Sequence, residues 1–82
     1  MQLPPLQPLH PDHQLLELKL TMFRRLTTNL LLSSLRPGQL GALKTREDGT
    51  ILDGHHRLKV LRERGINVND LPREVIPRGE LE

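Results

Sequence analysis

The chain has no cysteine, no tryptophan and no tyrosine, and Phe23 is its one residue of the Phe, Trp and Tyr class. Without cysteine there is no disulfide to reinforce the fold, no thiolate metal site and no cysteine nucleophile. The usual argument for an oxidising, extracellular setting falls away with it. With aromatics nearly absent, the core has to be built from Leu, Ile and Val, which bury less area per side chain. Base stacking on aromatic platforms is also excluded as a route to single-stranded nucleic acid. No apolar run approaches the roughly 20 residues of a membrane-spanning helix. The first eleven residues carry Pro4, Pro5, Pro8 and Pro11 and no apolar h-region, which is unlike a signal peptide. A soluble, cytoplasmic protein with no membrane contact is the expectation.

Charge of one sign is scarce too. Twelve Lys and Arg stand against ten Asp and Glu, a formal net charge of +2, too little to argue for nucleic acid by global charge. The surplus is local: Arg57, Lys59, Arg62 and Arg64 face only Glu63 in that stretch. With 82 residues there is room for one small domain, whose core supplies roughly 3–5 kcal/mol. So small a core favours burying apolar surface in a homodimer or against a protein partner.

Residues 1–13 are proline-rich and without periodicity, and read as an extended arm, frayed or laid along a partner. Residues 14–82 read as the domain. Leu16, Leu18, Leu20 and Met22 alternate with Glu17, Lys19 and Thr21, a period of two that predicts a half-buried strand. The good helix formers in the same stretch make a helix over 12–26 the rival. Thr27 or Thr28 offers an N-cap for a short leucine helix ending at Pro37-Gly38. Residues 40–46 read as a strand anchored by Leu40 and Leu43. Glu47-Asp48-Gly49 reads as a tight turn and Thr50-Ile51-Leu52 as the return strand. A helix over 55–64 is bracketed by Gly54 and the C′ glycine Gly65. Residues 71–76 form a last edge strand because Pro72 tolerates no central position, and Pro77 and Gly79 end the fold. The fold class is α+β (mixed α/β), with a short mixed sheet, two or three helices and no internal repeat.

The chemistry concentrates at Asp53-Gly54-His55-His56-Arg57, where a strand runs straight into a helix. The first turn of a helix presents N–H groups with no intrahelical acceptor and the positive end of the macrodipole. Two imidazoles and a guanidinium placed there oppose the dipole by roughly 0.3–1 kcal/mol per charge. An anion offsets that penalty, and a phosphate held by backbone amides, a bidentate Arg57 and a protonated His56 is the natural one. The plain structural alternative is that Asp53 caps the helix and the histidines solvate its end. Adjacent histidines diverge on a helix, so His55 and His56 do not share a metal ion, and Pro11 interrupts His10 and His13. No metal site is assigned. Ser33 and Ser34 sit in the leucine helix without a nucleophile elbow. Asp48 and Asp53 flank the hairpin as turn formers or as a base or magnesium ligand. Arg24 and Arg25 are solvated surface unless they share a face with Arg57, where they would extend a phosphate-tracking patch.

The string Gly49-Thr50-Ile51-Leu52-Asp53-Gly54-His55-His56-Arg57-Leu58, followed by Leu61 and Gly65, resembles the strand–turn–helix signature of the ParB/sulfiredoxin superfamily in a minimal version. The lead-in over 31–38 and the strand over 40–46 are similar to that family's approach to the turn. The resemblance implies a phosphate- or nucleotide-binding turn made by Gly54, His55, His56 and Arg57, with Asp53, Asp48, Arg24 and Arg25 as supporting groups. By the same likeness the ligand is CTP, ATP or ADP, carried with magnesium, and the reaction, where there is one, is phosphotransfer or nucleotidase chemistry. Some members are nucleases. The family's sulfiredoxins carry their catalytic cysteine where this chain has His55, so that activity is excluded. Nor do these 82 residues hold the helix-turn-helix and dimerisation domains of chromosome-partition ParB proteins. Two alternatives stand beside the nucleotide module. One is a small interaction protein, such as a toxin–antitoxin or plasmid-maintenance component, suggested by the Leu30-Leu31-Leu32 run. The other is a DNA-binding or nuclease-like module using the basic helix.

Overall fold

Asp48 folds the chain back on itself by accepting from the Thr50 amide at 2.9 Å and the Thr50 hydroxyl at 2.7 Å. Gly49 adopts the positive φ, 93°, that the turn needs. The two strands joined there are β1 (Lys44–Thr45) and β2 (Ile51–Asp53), paired antiparallel. In a computed structural model describing residues 3–77, they form a three-stranded mixed sheet with β3 (Glu74–Val75). The order is β2-β1-β3, with β3 parallel to β1. Lys44 faces Asp53 while Thr45 faces Ile51, so one step on β1 spans two on β2. Such a bulge re-aims the end of a strand, here immediately before Gly54.

The described residues form three α-helices, α1 (Glu17–Arg24), α2 (Thr28–Ser34) and α3 (His55–Glu63), with α1 and α2 both packed on α3. The fold is a small α+β domain. Thr27 is the N-cap of α2, its side chain accepting from the Leu30 amide at 3.1 Å. The aliphatic core that the composition demands runs through Leu20, Leu31, Leu35, Leu43, Leu58 and Leu61, all buried. Arg64 ties α3 to the end of α1, donating to the carbonyls of Arg24 and Leu26 at 3.1 and 2.8 Å. Arg24 returns the tie with a bidentate pair to Glu63 and a 2.7 Å bond to Glu17.

Residues 16–22 are not a strand. They enter and form α1, in which Leu20 alone is buried, Phe23 is half-buried three residues on, and Leu18 is 75% exposed. The alternation carried no β-branched residues except Thr21, and straight-chain Leu, Glu, Lys and Met lose little rotamer freedom in a helix. Packing then follows the i, i+3 spacing instead of the period of two. The first sheet strand is shorter than the sequence suggests. Residues 36–41 continue as turns, with Gln39 N–H donating to Arg36 O and Ala42 N–H to Gln39 O. Leu40 is 99% exposed and anchors nothing, whereas Leu43 is buried. The closing strand also shrinks to Glu74–Val75, since Pro72 precedes it.

The arm lies along its own hairpin. Gln7 bridges in parallel to Thr50 beside β2: its N–H donates to Gly49 O at 3.0 Å and its carbonyl accepts from Ile51 at 2.8 Å. Buried Arg73 clamps it from below, donating to Pro4 O and Asn69 O, each at 2.8 Å. The arm passes so close that a Cβ on Gly49 would run into the carbonyl oxygen of Pro5. Met1, Gln2 and the expected terminator Gly79 lie outside the described residues.

Candidate functional site

β2 delivers Asp53 at its exposed end, and Gly54 turns the chain with φ 110° and ψ 6°, a conformation that favours glycine. Its missing side chain has a second use: a Cβ there would sit 3.2 Å from Leu35 Cδ2 in the core. α3 starts at once, Leu58 N–H donating to Gly54 O at 2.9 Å. Glycine offers no capping side chain, and the first turn of α3 contains no acidic residue. Its amides are therefore left to the chain's surroundings at the positive end of the dipole.

α1 packs against this junction, and a cleft of about 280 Å³ opens between them. Lys19, Met22 and Phe23 line one side, with Asp53, Gly54, His55, His56 and Arg57 on the other. The volume lies at the lower edge of the roughly 300–1,000 Å³ of small-molecule sites. A phosphate group fits inside it, while a nucleoside attached to that phosphate would extend beyond.

Arg57 takes a different place from the bidentate ligand its sequence position suggests. Its side chain is buried and turned toward α2, Nη1 donating to Ser34 Oγ at 3.1 Å and to the Ser34 carbonyl at 3.3 Å. Gly41 leaves the space it occupies, since a Cβ at Gly41 would lie 3.0 Å from Nη1. Nη2 stands 3.9 Å from Asp53 Oδ1, and the guanidinium lies 6.0 Å from the Phe23 ring centroid. Burial pulls its pKa below the ordinary guanidinium value, and the Asp53 charge acts against that. Arg57 thus supplies positive potential to the cleft while its hydrogen bonds serve the fold.

Each histidine ring is occupied by a backbone amide, His55 by one of the arm and His56 by the N-cap residue of α1. His55 Nε2 accepts from the Leu9 amide at 3.1 Å, and His56 Nε2 accepts from the Leu16 amide at 3.0 Å. Both rings are consequently neutral with the proton on Nδ1, because an imidazolium has no lone pair to offer. His10 lies beside His55, ring centroids 5.3 Å apart. The pKa of His55 is lowered first by burial, then by His10 and His56, with Asp53 opposing. That of His56 is lowered by burial and then by Lys19.

Of the other candidates, Asp53 stays at the cleft mouth, about half exposed and 4.0 Å from Lys44 Nζ. Asp48 sits at the far end of the hairpin, its pKa lowered by the two bonds from Thr50, and it serves the turn. Arg24 is held by Glu63 and Glu17, and Arg25 is exposed at the end of α1; neither lines the cleft. Lys59 and Glu63 pair at 3.6 Å and Arg64 is turned onto α1, so the cations of α3 do not form one stripe. Among the described residues no group of three His, Cys, Asp or Glu is placed to hold a metal. No helix among them is long and apolar enough to cross a membrane.

Lys19 is the cleft residue that sequence reasoning missed. The signal was there: on a helix, Lys19, Met22 and Phe23 fall at i, i+3 and i+4 on one face, but a strand assignment scatters them.

Fold and site together define a small α+β domain with a basic cleft at a strand–glycine–helix junction. Comparison with protein-family models, curated proteins and solved structures found no match to this chain.

Proposed function

We propose that this chain is a phosphate-binding module of ParB/sulfiredoxin-like type, taking the phosphate of a nucleotide at the start of α3. The observation that carries the reading is the convergence of Lys19, His55, His56 and Arg57 on one cleft at an uncapped helix N-terminus. Cations at that end of a helix are unfavourable alone and favourable around an anion. Asp53, exposed at the mouth, is the carboxylate positioned to meet a magnesium ion carried in by the phosphates. The resemblance of the Asp53–Arg57 string to the superfamily's turn supports a nucleotide, CTP, ATP or ADP, over free phosphate.

The test is a thermal-melt panel with CTP, ATP, ADP and inorganic phosphate, each with and without magnesium. At 100 times its dissociation constant a ligand stabilises the fold by roughly 2.7 kcal/mol. Because Arg57 is built into the fold, the diagnostic variant is Lys19→Gln, on the exposed face of α1. It should weaken nucleotide binding by up to about fivefold, the ~1 kcal/mol of an exposed charge pair, and leave the ligand-free melt unchanged. No stabilisation by any member of the panel would sink the proposal.

One observation favours a second reading, an interaction protein or homodimer. Leu18 and Met22, one turn apart on α1, are both exposed, as are Leu26 and Leu30 beyond them. Sedimentation across a concentration series decides it: a monomer at every concentration, alone, removes the homodimer.

A further inference from the structure

The arm is held as a separate peptide would be. Pro4 O accepts from Arg73 at 2.8 Å, Leu6 N–H donates to Asn69 Oδ1 at 3.0 Å, and Gln7 pairs through both main-chain groups with Gly49 and Ile51. Leu9 N–H continues the row onto His55 Nε2. Each of these bonds uses a main-chain atom of the arm, and Leu6 adds a side chain that packs against the core. This is strand addition to the edge of β2 with one apolar anchor. Leu15, packed against the core, and Leu16, the N-cap of α1, already belong to the body. The joint between peptide and body is therefore residues 11–14, a turn in which Gln14 N–H donates to Pro11 O at 2.9 Å.

We propose that two copies of this chain exchange arms, each laying its residues 3–10 along the other's β2, with their α1 helices packed antiparallel across the two-fold axis. Closed and exchanged forms make the same arm bonds, because none of those bonds depends on which chain supplies the arm. The two forms differ at the joint, where the turn straightens, and in the surface that the bodies bury against each other. The joint's four residues reach at most about 14 Å, so the two bodies have to meet beside it. α1 begins there, at Glu17, and its outward face carries Leu18, 75% exposed, and Met22, 59% exposed. A two-fold contact has to be self-complementary, and this face is. With the helices antiparallel, Leu18 meets the partner's Met22, and Glu17, its side chain 76% exposed, meets the partner's Arg25, exposed at the other end of α1. A parallel pair would set like charges against each other. Exchange also places the partner's Leu9 amide on His55, so each copy completes the other's junction. The proposal rests on the homodimer reading above and names its mode.

The test is sedimentation across a concentration series together with NMR on a sample co-refolded from ¹³C-labelled and unlabelled full-length chain. Leu6 and Ile51 line one cavity between the arm and the body. In an exchanged dimer, isotope-filtered NOEs connect Leu6 of a labelled chain with Ile51 of an unlabelled one. The expected result is a concentration-dependent dimer that shows them. Leu18→Lys, a change at an exposed position that the monomer tolerates, should raise the dimer's dissociation constant at least about tenfold, the worth of one buried leucine. A dimer in which Leu6 and Ile51 meet only within one chain overturns the exchange and leaves the homodimer reading standing. A monomer at every concentration overturns both. A dimer whose dissociation constant is unchanged by Leu18→Lys overturns the α1 contact.

Discussion

Arg57 shows how one residue carries a fold and a site together. Its guanidinium bonds Ser34 through Nη1 and faces Asp53 and the cleft through Nη2. Truncation leaves the Ser34 carbonyl without this donor and opens a void beside Gly41. Arg57→Ala is therefore expected to cost about 2 kcal/mol, within the ~1–3 kcal/mol of a buried group losing its partner. For a domain of this size that is a melting shift of roughly 8–16 °C, measurable without ligand. Arg57→Ala with unchanged stability would mean that the guanidinium is free to serve a ligand directly. Gly49 makes the same point on the other side of the molecule. Gly49→Ala strains a φ of 93° by roughly 1–2 kcal/mol and pushes into Pro5 O. The expected outcome is loss of exchange protection at the Gln7 amide, because the arm has to lift to admit the methyl group.

At the scale of elements, α1 and α3 are joined by charge as well as by packing. Glu63 accepts a bidentate pair from Arg24 and contacts Lys59, and its pKa is lowered to about 2. A carboxylate lowered on folding contributes stability that is complete above its unfolded value of 4.5 and is lost as pH falls toward 2. The wild-type melting temperature should fall across that window, and Glu63→Gln should be less stable at neutral pH with a shallower acid slope. An identical acid profile in the variant would show that the clamp holds nothing together. What was legible in the sequence follows from similar local physics. α3 was readable because Gly54 and Gly65 mark its ends and Leu58 and Leu61 its face, and the hairpin because Asp48-Gly49 dictates its turn. α2 was readable from Thr27 and Pro37-Gly38. α1 was not, because Leu16, Leu18, Leu20 and Met22 alternate by coincidence and only Leu20 among them is buried. Nor did residue types reveal that Arg57 would turn inward: that depends on Ser34 and Gly41, which are near it only after folding. The Asp53–Arg57 junction was visible as a string, whereas Lys19 joins the cleft only because α1 folds against α3, and the amides that meet His55 and His56 come from 40 or more residues away along the chain.

For the whole molecule the decisive question is whether the arm belongs to the fold. Proline-rich termini usually fray, and in that view deleting residues 1–9 is silent. The geometry argues otherwise. Deletion removes both bonds of Gln7 to the hairpin, the Leu6 amide's bond to Asn69 at 3.0 Å, and the Pro4 carbonyl that accepts from buried Arg73. It also uncovers core that Leu6 packs against. At about 1 kcal/mol per hydrogen bond, losing these four, and with them the Leu9 amide's bond to His55, takes most or all of the roughly 3–5 kcal/mol that so small a core supplies. The truncated chain should then be largely unfolded at low concentration by circular dichroism, with a urea midpoint near zero. Recovery of structure on concentrating the sample would show a second copy covering the bared edge of β2, since an unpaired strand edge recruits another strand. A truncated chain as stable as the full one would instead make the arm an accessory. The bond of His55 to Leu9 would then hold a segment the fold does not need.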